Sequence, residues 1–357
     1  MMIPFDPTTM PRLDAEAVRT SKLSGVPSDH MFISEYAHGE WRKSRIQGYR
    51  PIPISPFAIG MQYAQSVFEG MKAYRYHDGR IAIFRIDRHA ARFNRSLERM
   101  CMPAVPEELF REALVQLVSV DHAWVPEGPD STLYVRPYMF ASEEHVGLQP
   151  ANEFLFMVLS APFRPRFHKP IRVKVEREFV RAAPGGVGYA KCAGNYAAAM
   201  YPTQLAKEEG FDQLVWTDAL THSRVEESGA MNVMFVIDGA LVTPPLSDTI
   251  LDGVTRESLL ILAREAGIRV EERDVTVEEL RSGIPGGQVT EAFGAGTAAI
   301  VAPIRTISID GVDYNLPDPQ DNHHHSIMLR LKQLLHEIRF GLVEDRHQWM
   351  TIVEPRA

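Results

Sequence analysis

The stretch Ala161-Pro162-Phe163-Arg164-Pro165-Arg166-Phe167-His168-Lys169-Pro170 constrains this chain more than any other segment. Its three prolines in ten residues each fix φ and remove a backbone donor, and no apolar period runs through them. A linker here divides the 357 residues into two parts, and a chain of that length exceeds what one small core accommodates. The expected organisation is a small N-terminal α/β domain over 1–160, a linker over 161–170 and a larger domain over 171–357.

The first part reads as strands followed by helices. Met31-Phe32-Ile33-Ser34-Glu35-Tyr36 is strand-like, with a turn at His38-Gly39 and a return at Glu40-Trp41. Met71 to Tyr76 and Arg80 to Phe84 flank Asp78-Gly79, a hairpin signal. A helix is predicted over 87–100 with Asp87 as N-cap, and another over 107–123 with apolar residues at Leu109, Phe110, Ala113, Leu114, Leu117 and Val118. Strands follow over 132–140 and 153–160. Beyond the linker, strands are predicted over 171–176, 213–217, 231–237 and 268–273, with helices over 195–209, 255–266 and 326–340. Thr276-Val277-Glu278-Glu279 is a capping-box start. The fold class is α/β, of the α+β type, without internal repeats.

Composition excludes several functions. The net charge is −8 and like charges form no long block, so the basic face that phosphate backbones need is missing and nucleic-acid binding is not expected. Two cysteines, Cys101 and Cys192, cannot build a disulfide framework or a structural zinc site, which fits a reducing compartment. The first ten residues lack the basic-then-apolar order of a signal peptide. No apolar run approaches the roughly 20 residues of a membrane span. The expectation is a cytoplasmic protein without a membrane partner. His323-His324-His325 reads as a surface turn, because consecutive positions do not converge on one metal; no metal is expected.

Four segments carry chemistry. Asp252-Gly253-Val254-Thr255-Arg256 opens a helix, where backbone N–H groups and the positive dipole end suit an anion, although an ordinary cap reads the same way. Phe293-Gly294-Ala295-Gly296-Thr297-Ala298-Ala299 nearly matches the dinucleotide fingerprint. Pro303 arrives too soon for the required helix, so a glycine loop offering Thr297 to a single phosphate is the better reading. Lys191 sits among Gly188, Ala190, Cys192, Ala193 and Gly194. Close packing there disfavours the charged form and suits an amine nucleophile. Glu227 stands at the mouth of an apolar strand, either as a solvent-facing strand end or as a placed partner for a base. Glu226 beside it points to the other face.

Taken together, these pieces resemble the branched-chain amino acid aminotransferases, a family of fold-type IV pyridoxal-phosphate enzymes. The resemblance is an ordered series across nearly the whole chain. It runs from Tyr63 through Phe68-Glu69-Gly70-Met71-Lys72-Ala73-Tyr74, residues 88–102 and Leu133-Tyr134-Val135-Arg136-Pro137 to Lys191–Tyr196, Glu227–Asn232, Asp252–Arg256 and Phe293–Ala298. It implies a two-domain fold with pyridoxal 5′-phosphate between the domains. It implies that Lys191 holds the cofactor and moves the substrate proton, that Tyr196 bonds the 3′ oxygen, and that Glu227 faces the pyridine nitrogen. Arg92, Val254, Thr255 and Thr297 match the phosphate contacts. Tyr63, Phe68 and Tyr134 match an apolar side-chain pocket, and Arg136 the seat for the distal carboxylate of glutamate. Thr297 and Ala298 match the backbone seat of the α-carboxylate. Val146 and Leu148 match a loop that enters a neighbouring subunit's site, implying a homodimer or a larger assembly of dimers.

The implied reaction moves the amino group of leucine, isoleucine or valine to 2-oxoglutarate. This sequence departs from the family at Pro27, Cys192, Ser228 and Ala230, which bears on pocket size and leaves open an unusual β-branched, aromatic or D-amino acid as substrate. An aminodeoxychorismate lyase is the other rival within the fold. A nicotinamide-dependent oxidoreductase using the Gly294–Ala299 loop is the rival from another class. A non-catalytic binding module gives no reason for Lys191, Glu227 and Arg92 to occur together.

Overall fold

The period-two alternation of the first part builds a sheet with one face packed and the other left partly open. The computed structural model describes residues 2–8, 11, 18, 25–128, 131–164, 169–298, 300–318 and 325–356. Its contacts form two compact units. The first comprises Met1–Arg164, Ala190–Ala193 and Glu337–Ala357, and the second Pro165–Tyr189 and Gly194–His336. This departs from a single cut at 161–170, for a physical reason. Strand Met350–Val353 pairs antiparallel with Ile81–Phe84, and Cys192 bridges to Val67, so hydrogen bonding returns both segments to the first unit.

In the first unit the strands are β1 (Phe5–Asp6), β2 (His30–Ala37), β3 (Glu40–Gly48), β4 (Ser66–Phe68), β5 (Met71–Arg75), β6 (Ile81–Phe84), β7 (Thr132–Ala141) and β8 (Phe154–Phe163). Their order is β1-β3-β2-β8-β7-β5-β6 followed by Met350–Val353, with β4 on β7. The β2–β3 turn places His38 at φ 55° and Gly39 at φ 81°, the left-handed pair that a two-residue hairpin needs. β8 runs three residues further than expected and includes Pro162, opposite Leu133 of β7. Its partner β2 reaches only from Phe154 to Val158, so no strand calls on a Pro162 N–H; its carbonyl accepts from the Gly25 N–H at 3.3 Å.

Among the described residues, helices α1 (Ile59–Tyr63), α2 (Ile86–Arg99) and α3 (Glu107–Val120) cover this sheet. α2 starts one residue before the expected Asp87 cap. Arg85 occupies the N-cap in a left-handed conformation and donates its N–H to the Trp349 carbonyl at 2.7 Å. Asp87 stands instead in the first turn, where its charge still favours the dipole. α3 buries the apolar set that its sequence period picks out and gives way to a 3-10 turn, His122–Trp124. Phe93, Phe110 and Phe156 pack against one another with centroids 5.4 to 6.0 Å apart.

Inside this unit lies a buried polar cluster. Glu69, fully buried just after β4, accepts from Arg92 Nε at 2.6 Å on Oε1. Its Oε2 accepts from Arg92 Nη2 at 2.8 Å, His89 Nδ1 at 2.8 Å and the Gly70 N–H at 3.1 Å. A carboxylate has about four acceptor sites, so Glu69 is saturated. Burial alone pushes its carboxyl up, but the Arg92 guanidinium, then His89, and their hydrogen bonds outweigh that and hold it well below the usual carboxylate range. Burial lowers His89 despite the attraction of Glu69, so its ring is neutral and the Nδ1 facing Glu69 carries the proton.

The second unit contains β9 (Ile171–Val175), β10 (Gln213–Thr217), β11 (Val225–Ser228), β12 (Met231–Ile237), β13 (Ala240–Thr243), β14 (Val270–Glu272), β15 (Val289–Gly296), β16 (Ile300–Ile309) and β17 (Val312–Asn315). Beyond the path β11-β10-β9-β16-β15-β12-β13-β14, β11 also pairs with β12. That pairing closes six strands into a ring, which removes the open edges an equivalent flat sheet would expose. Val173, Val215, Val233, Phe235, Ile304 and Ile307 fill the apolar core. Helices α4 (Ala193–Glu208), α5 (Val254–Glu265), α6 (Val277–Gly283) and α7 (Ile327–Arg339) complete the described elements. Thr276 caps α6 as its sequence requires, its hydroxyl accepting from the Glu279 N–H at 3.0 Å.

Two stability tests follow from these local interactions. Thr276→Ala removes the cap and is expected to cost about 1 kcal/mol, while Thr276→Ser retains most of it; chemical denaturation midpoints read both. Glu69 has a folded pKa below its unfolded one, so it stabilises fully above the ordinary carboxylate range, near pH 4, and progressively less as pH falls toward its depressed folded value. Acid unfolding of Glu69→Gln is therefore expected to show a shallower pH dependence below about pH 4 than the parent, and an equal slope would contradict the ion pair.

Candidate active site

In the first unit, Lys191 is pinned by its backbone on two sides. Its N–H donates to Ser96 Oγ at 2.9 Å, and its carbonyl accepts from the Phe68 N–H at 3.0 Å. Ala190 and Cys192 on either side are buried at 1% exposure, so the two residues flanking Lys191 are packed, whereas Gly194 is exposed. The Lys191 Nζ stands 4.9 Å from the Phe68 ring centroid. Ser96 in turn donates to the Arg92 carbonyl at 2.9 Å, which ties the lysine segment to the turn of α2 that carries Arg92.

Phe68, Tyr134 and Arg136 come together on the half-open face. The Arg136 guanidinium lies 4.7 Å from the Phe68 centroid and 5.2 Å from that of Tyr134, and donates to the Tyr134 hydroxyl at 3.0 Å. A Cβ on Gly70 would fall 1.9 Å from that hydroxyl, so this glycine makes room for Tyr134. Tyr63 joins a different neighbourhood: it is 40% exposed, and its hydroxyl accepts from the Gly147 N–H at 3.3 Å. Val146 and Leu148 on that loop are 68% and 89% exposed, and Phe57 and Met61 are exposed beside Tyr63 in the chain.

In the second unit, β11 runs antiparallel to β12 with Glu227 opposite Asn232. Glu227 is buried; its Oε1 accepts from Asn232 Nδ2 at 3.1 Å and the Leu251 N–H at 2.9 Å, and its Oε2 lies 2.9 Å from Arg181 Nε. Arg181 is held by the carbonyls of Gly188 and Thr249. Asn232 also donates to the Leu251 carbonyl at 2.8 Å, and a Cβ on Gly253 would fall 1.8 Å from its Oδ1. Thus one asparagine links the carboxylate to the loop that opens α5, and only glycine fits at that N-cap. Val254 and Thr255 are the first residues of this helix and both are buried. Glu226 faces the other way, as alternation requires: Thr249 donates to it at 2.6 Å, and burial pushes its carboxyl up against that bond.

Tyr196, on the first turns of α4, and Glu227 line one cavity of about 450 Å³ with Arg181, Asn195, Leu251 and Ala230. Thr297 and Ala298 lie in the turn between β15 and β16, half-buried and exposed respectively. β15 pairs directly back onto β16, with Gly296 opposite Ile300. No helix follows the Gly294–Ala298 glycines, so the dinucleotide reading fails on topology. Of the departures, Cys192 and Ser228 are buried, Pro27 is half-buried and Ala230 is exposed at the cavity. His325 is exposed, and His323 and His324 lie outside the described residues. Among the described residues no cluster has metal-ligand geometry and no helix is long and apolar enough to cross a membrane.

Four functional candidates were not legible as such in the sequence: Arg181, Asn232, Glu69 and His89. Arg181 carries the same signature that marks Lys191, a cation among small residues, in Arg181-Ala182-Ala183-Pro184. Glu69, flanked by Phe68 and Gly70, is a charge in the break between β4 and β5, both of which pair with β7. His89 and Arg92 fall on the buried stripe of α2 with Ile86, Phe93 and Ser96, which a helical wheel shows only once the burial is known.

The family model for amino-transferase class IV matches residues 66–307. The branched-chain-amino-acid transaminase 1 of Bacillus subtilis is 42% identical over 327 residues, covering 90% of this chain and 91% of that one. The branched-chain-amino-acid aminotransferase of Mycobacterium tuberculosis is 41% identical, covering 90% and 89%. Among solved structures, the branched-chain aminotransferase of Thermoproteus uzoniensis with norvaline superposes with a TM-score of 0.74 at 25% identity, covering 90% of this chain and 99% of its own. The branched-chain amino acid aminotransferase of Escherichia coli gives 0.70 at 25% identity, covering 90% and 98%. The fold is that of the fold-type IV aminotransferases. With a family match over most of its length and relatives about 40% identical across nine-tenths of it, the chain belongs to the class IV aminotransferases, in the branched-chain-amino-acid aminotransferase family.

Proposed function

We propose that this protein transfers the amino group of leucine, isoleucine or valine to 2-oxoglutarate with pyridoxal 5′-phosphate, the cofactor being carried on Lys191. The observation that carries the reading is Glu227, a buried carboxylate fixed by Arg181, Asn232 and the Leu251 N–H in the cavity that Tyr196 also lines. Such a group is suited to a protonated ring nitrogen. The residues fit the cofactor in three further respects: a packed lysine amine, a glycine-capped helix start at Val254 and Thr255, and a hydroxyl at Tyr196 for the 3′ oxygen. Arg92 and Thr297 complete the proposed phosphate contacts.

When bound, the cofactor supplies an electron sink for the pair left at the substrate α-carbon. Glu227, paired with Arg181, would face the ring nitrogen and hold a proton there. Lys191 takes the proton from the α-carbon and delivers it to C4′ of the cofactor, acting as general base and then as acid. The Phe68 ring beside its Nζ excludes water and presents an apolar wall to a branched side chain. Arg136, supported by the Tyr134 hydroxyl, binds the distal carboxylate of glutamate or 2-oxoglutarate. The Thr297 and Ala298 backbone seats the α-carboxylate. One site thereby accepts an apolar and an acidic substrate in turn.

The exposed Val146 and Leu148, with Tyr63 bonded to their loop, support assembly with a second copy of the chain. Two cysteines free of disulfides support a cytoplasmic location. The first unit is assigned Lys191, Arg92 and the side-chain pocket of Phe68, Tyr134 and Arg136, and the second the ring nitrogen at Glu227, the remaining phosphate contacts and the seat of the α-carboxylate.

A yellow holoprotein that bleaches with leucine and recovers with 2-oxoglutarate is the expected spectrum; one indifferent to leucine rejects the substrate class. Lys191→Ala is expected to abolish turnover, and normal turnover would overturn the assignment. Arg136→Met is expected to raise KM for 2-oxoglutarate about ten- to a hundredfold, the value of a charged hydrogen bond, with a smaller effect on leucine. Equal effects on both substrates would remove Arg136 from the distal-carboxylate role.

A further inference from the structure

The Glu69 cluster is more than a buried ion pair that happens to lie near Lys191. A guanidinium has two edges through which it makes paired hydrogen bonds. Glu69 takes the Nε and Nη2 edge of Arg92, at 2.6 and 2.8 Å, and so fixes the plane of the group and turns its end-on edge away from the carboxylate. Glu69 itself has no freedom to follow Arg92 elsewhere. Its own N–H is bonded to the Pro137 carbonyl at 2.7 Å, and its Oε2 is also held by His89 and by the Gly70 N–H. Arg92 is anchored from behind as well, its carbonyl accepting from the Ser96 hydroxyl that receives the Lys191 N–H. Arg92 is 5% exposed, and loss of Glu69 would remove the carboxylate that meets its Nε and Nη2 edge in that buried setting.

From this geometry we infer that Glu69 is a positioning residue for the cofactor's phosphate: it presets Arg92 so that a dianion meets an oriented fork, with His89 holding the carboxylate in register. The inference rests on the proposal that Arg92 contacts the phosphate. The energetic logic is preorganisation, in which the entropy of ordering Arg92 is lost on folding and not on binding.

The test compares the affinity of the apoprotein for pyridoxal 5′-phosphate with that for pyridoxal, which lacks the phosphate. The variants are Glu69→Gln, Glu69→Asp and Arg92→Gln, with circular dichroism to confirm folding. In Glu69→Gln, one donor in the cluster meets an amide N–H₂ in place of an oxygen. Affinity for the phosphorylated form is expected to fall about ten- to a hundredfold, while that for pyridoxal stays within about twofold. Arg92→Gln is expected to give the same selective loss, and the double variant no further loss. Should Glu69→Gln not fold, Glu69→Asp, which keeps the charge but shortens the reach, is expected to show a smaller selective loss. Parallel losses for both ligands in a folded Glu69 variant, or no loss, overturn the positioning role while Arg92→Gln remains selective. An unselective Arg92→Gln overturns the Arg92 proposal and this inference with it.

Discussion

A carboxylate taken out of water costs several kcal/mol unless it is paired and its oxygens are filled, and Glu69 in the first unit and Glu227 in the second are both buried. Glu69 is satisfied by Arg92, His89 and the Gly70 N–H, and Glu227 by Arg181, Asn232 and the Leu251 N–H. Each acid fixes groups around it that are proposed to touch the cofactor: Arg92 in the first unit, and the loop that opens α5 in the second. Satisfied buried ions of this kind give up little on breathing and hold directions well, which is what handling a ring nitrogen and a phosphate requires. The surrounding folds serve that end. The β4–β7 and β5–β7 pairings hold the Phe68–Gly70 segment, and closure of the ring through β11 and β12 places Glu227 opposite Asn232.

The same economy explains how one site is proposed to alternate between substrates. Phe68 and Tyr134 offer aromatic surface, yet Arg136 lies over both rings and is bonded to the Tyr134 hydroxyl. A guanidinium stacked on aromatic faces stays available to an incoming carboxylate and can rest on the rings when an apolar side chain occupies the pocket. Gly70 is part of this arrangement, because any side chain there would displace the Tyr134 hydroxyl that supports Arg136.

Much of this was legible in the sequence, and the limits have physical causes. Local rules that depend on neighbours in the chain held: the His38-Gly39 turn, the apolar stripe of α3, the Thr276 cap and the opposite facing of Glu226 and Glu227. Rules overridden by distant partners did not. Pro162 sits within a strand because β2 stops short of it, the Asp87 cap yields to Arg85 bonded to Trp349, and residues 190–193 and 337–357 leave the part of the chain in which they are written. Lys191 showed itself through its small neighbours, whereas Glu69 and His89 acquire meaning only from a contact spanning 20 residues. The ordered motifs supplied the family; the supporting residues came from the geometry.

The most direct test of the central claim is borohydride reduction of the holoprotein followed by peptide mapping. A single pyridoxyl-modified lysine at Lys191 is expected, formed in the parent and missing in Lys191→Ala. A modified lysine elsewhere, or no fixed cofactor after incubation with pyridoxal phosphate, would contradict it.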